Sequence, residues 1–309
     1  MPRTANATAP LAPSRPLLRD SPRSAVRSKA MPPQRMPART PVYAPAWTLF
    51  GLEPLRAAIE YASMQWMDTG SLPAGDGHPV VLFPGLAADR HSIGPLRGLC
   101  ERLGYETYDW GRGLNTGPQG DVEDWLDELA RHVGERVEAH SEPVSLIGWS
   151  LGGIYAREVA KILGRRVRHV ITIGTPFVGT LELVNVSWAY RLVNGHSPLL
   201  DEALMARLRT PPDVPTTSIF SRSDGVVAWQ TCIQDDVGPH VENIEVEGSH
   251  CGLGHNPAVL YAIADRLAQA EGAWRHFERS GLKGLIYRNP PPCDVDASAN
   301  ASSAPALAH

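Results

Sequence analysis

The chain has little that would staple, span or strongly charge a protein. Its four cysteines, Cys100, Cys232, Cys251 and Cys293, show no paired spacing, which excludes a disulfide-framed scaffold and fits free thiols in a reducing compartment. No apolar run reaches the roughly eighteen residues that a spanning helix needs. Formal net charge is −4, so binding to nucleic acid through bulk phosphate neutralisation is not expected. The charge is uneven: residues 1–40 carry seven Arg and Lys29 against Asp20, a local +7 that leaves −11 on the rest of the 309 residues. That segment also lacks the apolar h-region of a secretory signal. A cytoplasmic protein is therefore expected, with an Arg- and Ser-rich organelle transit peptide as the alternative.

What is present divides into three parts. Residues 1–45 are rich in Pro, Ala and Arg and too poor in apolar clusters to offset the entropy of ordering them, and 289–309 read the same way. Residues 46–288 are expected to form one domain. Its first element is predicted as a helix over 54–66, with Pro54 at the first helical position and Leu55, Ala58, Ile59, Ala62 and Trp66 on one face. That face is expected to lie on the sheet edge, with a membrane surface as the alternative that Glu53, Glu60 and a single Arg56 disfavour. Beyond Gly77, strand patterns at 80–83, 106–110, 144–147, 170–173, 217–220 and 244–246 alternate with helical ones at 93–103, 122–137, 154–163 and 257–268. Such alternation implies an α/β fold, a mostly parallel sheet of about six strands covered by helices on both faces. Ligands of these sheets bind beyond the carboxyl ends of the strands.

The strongest motif is Gly148-Trp149-Ser150-Leu151-Gly152-Gly153, directly between a strand and a helix. A serine on that turn is held in a strained conformation that lifts its hydroxyl clear of the sheet. Its hydroxyl needs a base, and the base needs an acid to orient it. Asp224 and His250 both follow strands and come in the order nucleophile, acid, base. Asp235 and Asp236 are rival acids. His255 is the rival base, although Asn256-Pro257 after it reads as a helix start. Backbone N–H groups of Leu151 and of Leu86, in the loop after Phe83-Pro84-Gly85, are the candidate oxyanion donors. The loop 111–120 lacks G-x-G-x-x-G spacing and is read as a flexible rim beside the site rather than a dinucleotide loop. His250, Cys251 and His255 lack a third well-spaced partner for a metal.

These residues resemble those of the α/β-hydrolase superfamily over residues 79–268. Phe83-Pro84-Gly85-Leu86, Gly104-Tyr105 and Ile173-Gly174-Thr175-Pro176-Phe177-Val178-Gly179 are similar to the lipase/esterase branch in particular. The resemblance implies hydrolysis of a small-molecule or lipid ester through an acyl-enzyme, with no metal or organic cofactor. The two strands that usually open that fold are not evident before Val80, which leaves the role of residues 41–78 open.

Residues 177–214 show no strand pattern, and their apolar residues fall on several sides. They are expected to form a small helical cap over Ser150, with a second short helix through Leu204 and Leu208. Trp149, Phe177, Trp188 and Tyr190 are the expected substrate-lining side chains. A thioesterase or an acyltransferase with the same three residues is the alternative, and a non-catalytic binding protein of the same fold is a further one. The basic first segment leaves peripheral contact with a membrane open. The oligomeric state cannot be read from the sequence.

Overall fold

A computed structural model of the chain describes residues 43–177, 202–234 and 238–288. The expected tails, most of the expected cap with Trp188 and Tyr190, and the rival acids Asp235 and Asp236 therefore lie outside the described residues.

Six strands form one wholly parallel sheet: β1 (Pro79–Phe83), β2 (Glu106–Asp109), β3 (Val144–Trp149), β4 (Val167–Ile173), β5 (Thr216–Phe220) and β6 (Val241–Glu245), in the order β2-β1-β3-β4-β5-β6. The number and direction of the strands agree with the pattern of apolar runs. Each central strand is buried on both sides and sends alternate residues to opposite faces. Val80 and Leu82 pack with α2 (Gly94–Leu103) and α6 (Pro257–Leu267), whereas Val81 and Phe83 pack with α3 (Val122–Arg136) and α4 (Leu151–Leu163). Because β2 lies on one side of β1 and β3 on the other, the chain reverses its winding between β1 and β3. Phe83 pairs in register with Gly148, so the loops after these two strands meet at the switch point, where such sheets leave a crevice.

Two expectations need correction. The last strand begins at Val241, three residues before the apolar run at Ile244. Glu242 and Asn243 interrupt that run yet are buried, because the Glu242 carboxylate accepts from Thr217, Arg266 and the Phe277 amide, and Asn243 pairs with Gln234. The larger correction concerns the first helix. It starts at Trp47 rather than Pro54, spans Trp47–Met64 (α1), and holds Pro54 inside it. Ala46 offers no capping side chain that could have announced the true start. Its orientation is also the reverse of the expected one: Leu55, Ala58, Ile59 and Ala62 of α1, and Trp66 just beyond it, are all exposed, while Glu53 is buried and Arg56 and Glu60 are half-buried. The polar stripe of α1 faces the protein because it meets loop amides there.

Of the expected cap, the helix α5 (Glu202–Arg209) is described. Its Leu204 and Leu208 are only half-buried. Polar contacts fasten its end to α4: Arg157 donates to the carbonyls of Leu208 and Thr210, and Arg207 pairs with the buried Glu158 at 2.7 Å. Among the described residues, no helix is long and apolar enough to cross a membrane.

Candidate active site

Ser150 stands between β3 and α4 with φ 54° and ψ −124°, a conformation that costs a non-glycine residue about 1–3 kcal/mol. Packing on both sides enforces it. A Cβ on Gly148 would run into the backbone of Gly152 and Gly153, and one on Gly152 into the carbonyls of Phe83 and Pro84. The Ser150 amide donates to the Ile173 carbonyl of β4 at 2.8 Å, fixing the turn from a third side. Because the obstacles at Gly152 are backbone atoms, Gly152→Ala is expected to destabilise by roughly 3 kcal/mol and to lower Tm by about 10 °C. An unchanged melting curve would show that α4 does not seat against β1 this closely.

The three residues that the sequence singled out come together here. His250 Nε2 lies 3.0 Å from Ser150 Oγ, and His250 Nδ1 lies 2.7 Å from Asp224 Oδ2. Asp224 is buried, and its other oxygen accepts the amides of Val226 and Val227 at 2.8 and 2.7 Å. With both carboxylate oxygens engaged, the acid cannot rotate away from the imidazole. The shared geometry also fixes a tautomer: a proton on Nδ1 donates to Asp224, which leaves Nε2 as the acceptor for the Ser150 hydroxyl. Burial pushes the imidazole pKa down. The charge of Asp224, its hydrogen bond and the charge of Glu53 outweigh that effect, and His250 titrates above the ordinary histidine value.

The rival base is elsewhere. His255 ends a short 3-10 turn before α6, bonds the Ala57 carbonyl at 3.1 Å and meets the Tyr61 ring edge-on. Asn256 caps α6 through the Ala258 amide.

The loop after β1 lies against Ser150: a Cβ on Gly85 would be 3.3 Å from Ser150 Cβ. Leu86 follows at the turn, and Leu151 opens α4. Neither backbone N–H has a backbone acceptor among the described residues, and the N-terminus of α4 adds a favourable dipole for negative charge. What holds the β1 loop was not foreseen. Asn115 is wholly buried. Its side chain donates to the Pro84 carbonyl at 2.8 Å, and its backbone exchanges two hydrogen bonds of 2.8 Å with Ala87 and Ala88. The loop expected to be a flexible rim is thus the brace of the segment carrying Leu86. Beyond it, Trp110, Arg112, Leu114, Gln119, Trp125 and Glu128 line a cavity of about 450 Å³.

The remaining candidates stand in different surroundings. Trp149 donates its indole N–H to the His250 carbonyl at 3.2 Å, and its ring fills the space where a side chain on Gly254 would go. This is a brace for the histidine loop. Phe177 is buried, with the Arg157 guanidinium 4.0 Å above its ring. Glu53, the other unforeseen residue, bonds the amides of Gly225, His250 and Cys251. Its signal was an acidic residue on an amphipathic helix, which ordinarily faces water. Cys100, Cys232 and Cys251 are free thiols.

A family model described as the alpha/beta hydrolase family matches residues 80–301. The chain belongs to the alpha/beta hydrolase family. Among solved structures this hydrolase is similar to a lipase-esterase related protein from Clostridium acetobutylicum, at 15% identity and TM-score 0.46, over 63% of this chain and 97% of that one. It is also similar to Aspergillus fumigatus lipase B, at 20% identity and TM-score 0.47, over 66% of this chain and 56% of that one. A third is Paleococcus ferrophilus monoacylglycerol lipase, at 13% identity and TM-score 0.46, over 64% and 96%. No curated protein sequence matches the chain.

Proposed function

We propose that this hydrolase cleaves carboxylic esters through an acyl-enzyme, with Ser150 as nucleophile, His250 as general base and acid, and Asp224 as the orienting acid. The observation that carries the reading is the continuous line Ser150 Oγ–His250 Nε2 and His250 Nδ1–Asp224 Oδ2, at 3.0 and 2.7 Å. Ser150 Oγ attacks the ester carbonyl carbon while His250 Nε2 takes its proton. The carbonyl oxygen becomes an oxyanion and accepts from the Leu86 and Leu151 amides. Collapse expels the alcohol, protonated by His250, and leaves the acyl group on Ser150. Water, deprotonated by the same nitrogen, attacks that ester; the second collapse releases the acid and restores the serine.

The test is direct: purified protein should label with a fluorophosphonate and turn over p-nitrophenyl esters faster than acyl-CoAs of the same chain length. Preference for acyl-CoA would make it a thioesterase, and failure to label would leave a non-catalytic protein of this fold.

The +7 of residues 1–40 and the outward Trp47, Leu55, Ile59 and Trp66 on and just after α1 support contact with an anionic lipid surface. Residues 41–290 alone are expected to keep kcat/KM on a soluble ester within a few-fold and to sediment less with anionic vesicles. Equal sedimentation would remove the basic segment from that role.

A further inference from the structure

We infer that Glu53 is a positioning residue whose carboxylate locks the loop carrying Asp224 to the loop carrying His250. The inference rests on the roles proposed above for those two residues. Glu53 lies on α1, ahead of the sheet, and is 3% exposed. Its Oε1 accepts the amides of Gly225 and His250, at 2.8 and 3.0 Å, and its Oε2 accepts the Cys251 amide at 2.8 Å. The three donors belong to the dyad residue His250 and to the immediate chain neighbours of Asp224 and His250.

Burying a carboxylate costs several kcal/mol unless hydrogen bonds replace its water, so an acid at this depth is explained by what it holds. The chemistry requires an acid. An amide side chain has one oxygen and cannot accept at both ends. The neighbours on the same helical stripe hydrogen-bond one loop each. Arg56 donates to Ser223 Oγ at 2.8 Å on the aspartate loop, and Glu60 accepts from the amide and hydroxyl of Ser249, both at 2.7 Å, on the histidine loop. Glu53 alone of the three hydrogen-bonds both loops; Arg56 reaches the histidine loop only through its 3.9 Å ion pair with Glu247. The approach is close enough to exclude a side chain at Gly225, where a Cβ would lie 2.7 Å from the Leu49 carbonyl oxygen and the Phe50 amide nitrogen.

The clamp is electrostatic as well as mechanical. The groups facing His250 are Asp224 from the loop after β5, Ser150 from the loop after β3, the neighbouring Cys251, and Glu53 and Glu60 from α1, Glu60 through Ser249. Arg56 and Glu247 pair with each other farther out, at 3.9 Å. Glu53 therefore adds a second negative charge to that of Asp224 in favour of the imidazolium that forms during turnover.

Glu53→Gln tests both parts. It keeps the shape but sets an N–H against at least one loop amide. On p-nitrophenyl butyrate, kcat should fall about 10- to 100-fold, the cost of a small misplacement, with KM within about threefold. The His250 titration, followed by NMR of labelled imidazole, should move to lower pH, and the acid limb of kcat should move with it. Glu53→Asp keeps the charge but shortens the reach. It should lose rate while holding the titration near wild type.

A folded Glu53→Gln protein with wild-type kcat and an unmoved titration overturns the inference. Should Glu53→Gln not fold, Gly225→Ala pushes the loop off α1 from the opposite side, and a folded variant with wild-type kcat overturns it equally. Wild-type protein that neither labels nor hydrolyses would sink the ester-hydrolase reading instead, and the NMR titration would still decide the clamp.

Discussion

Ser150→Ala and His250→Ala should each lower kcat by about a millionfold, and the double variant should be no worse than either. The reason lies in how the two groups share one step. Without the hydroxyl, His250 has no proton to take; without the imidazole, the hydroxyl stays a weak nucleophile at its ordinary pKa. Residual turnover, about 10³–10⁴ over water, would come from the Leu86 and Leu151 amides and from substrate binding. Ser150→Ala should not label with a fluorophosphonate. Its fold should persist, since the hydroxyl is hydrogen-bonded to His250 and the strained backbone is held by Gly148, Gly152 and the Ile173 carbonyl. Rates would be measured against a blank purified identically, because a millionfold loss is easily masked by a contaminating esterase. If Ser150→Ala kept a tenth of wild-type activity, Ser150 would not be the nucleophile. If His255→Ala matched the serine variant while His250→Ala kept its rate, the base would have to be reassigned despite the 3.0 Å contact.

The parts of this molecule that were legible in sequence are those where one physical rule acts alone. Central parallel strands must be apolar on both faces, so Val80–Phe83, Val144–Ile147 and Val170–Ile173 announced themselves. The turn at Ser150 was legible because backbone crowding admits only glycine at 148 and 152. Where two rules compete, the pattern misleads. On α1 the apolar stripe was assigned inward by periodicity, yet Glu53, Arg56 and Glu60 find seven hydrogen-bond contacts on the loops after β5 and β6, and that satisfaction decides which face turns in. Exposed Leu55 and Ile59 violate no packing rule, since exposed apolar side chains are common on folded surfaces. Asn115 escaped for a related reason. A buried asparagine is specified by the carbonyl it meets, Pro84, which is 31 residues away and carries no local signal.

Asp224→Asn should fold normally and lose roughly 10⁴ in kcat/KM, the loss seen for the equivalent change in the serine-protease template. The geometry here indicates why the amide cannot substitute. Asp224 Oδ1 accepts two amides, from Val226 and Val227, so an asparagine must keep its oxygen there and turn its NH₂ toward His250. That NH₂ donates to Nδ1, which forces the imidazole proton onto Nε2, the nitrogen facing Ser150 Oγ. In that tautomer the ring offers Ser150 a donor where the reaction needs an acceptor. The charge is lost as well. Asp224 is the main influence opposing burial at His250, so its neutralisation should lower the imidazole pKa and carry the acid limb of the rate profile to lower pH. Raising the pH should then fail to restore the rate, because the defect lies in proton placement rather than in protonation. Rates from pH 6 to 9 beside a thermal melt would check this. A variant within tenfold of wild type, with Asp235→Asn or Asp236→Asn inactive, would move the acid to one of those positions. Full recovery at high pH would instead remove tautomer control from the role of Asp224.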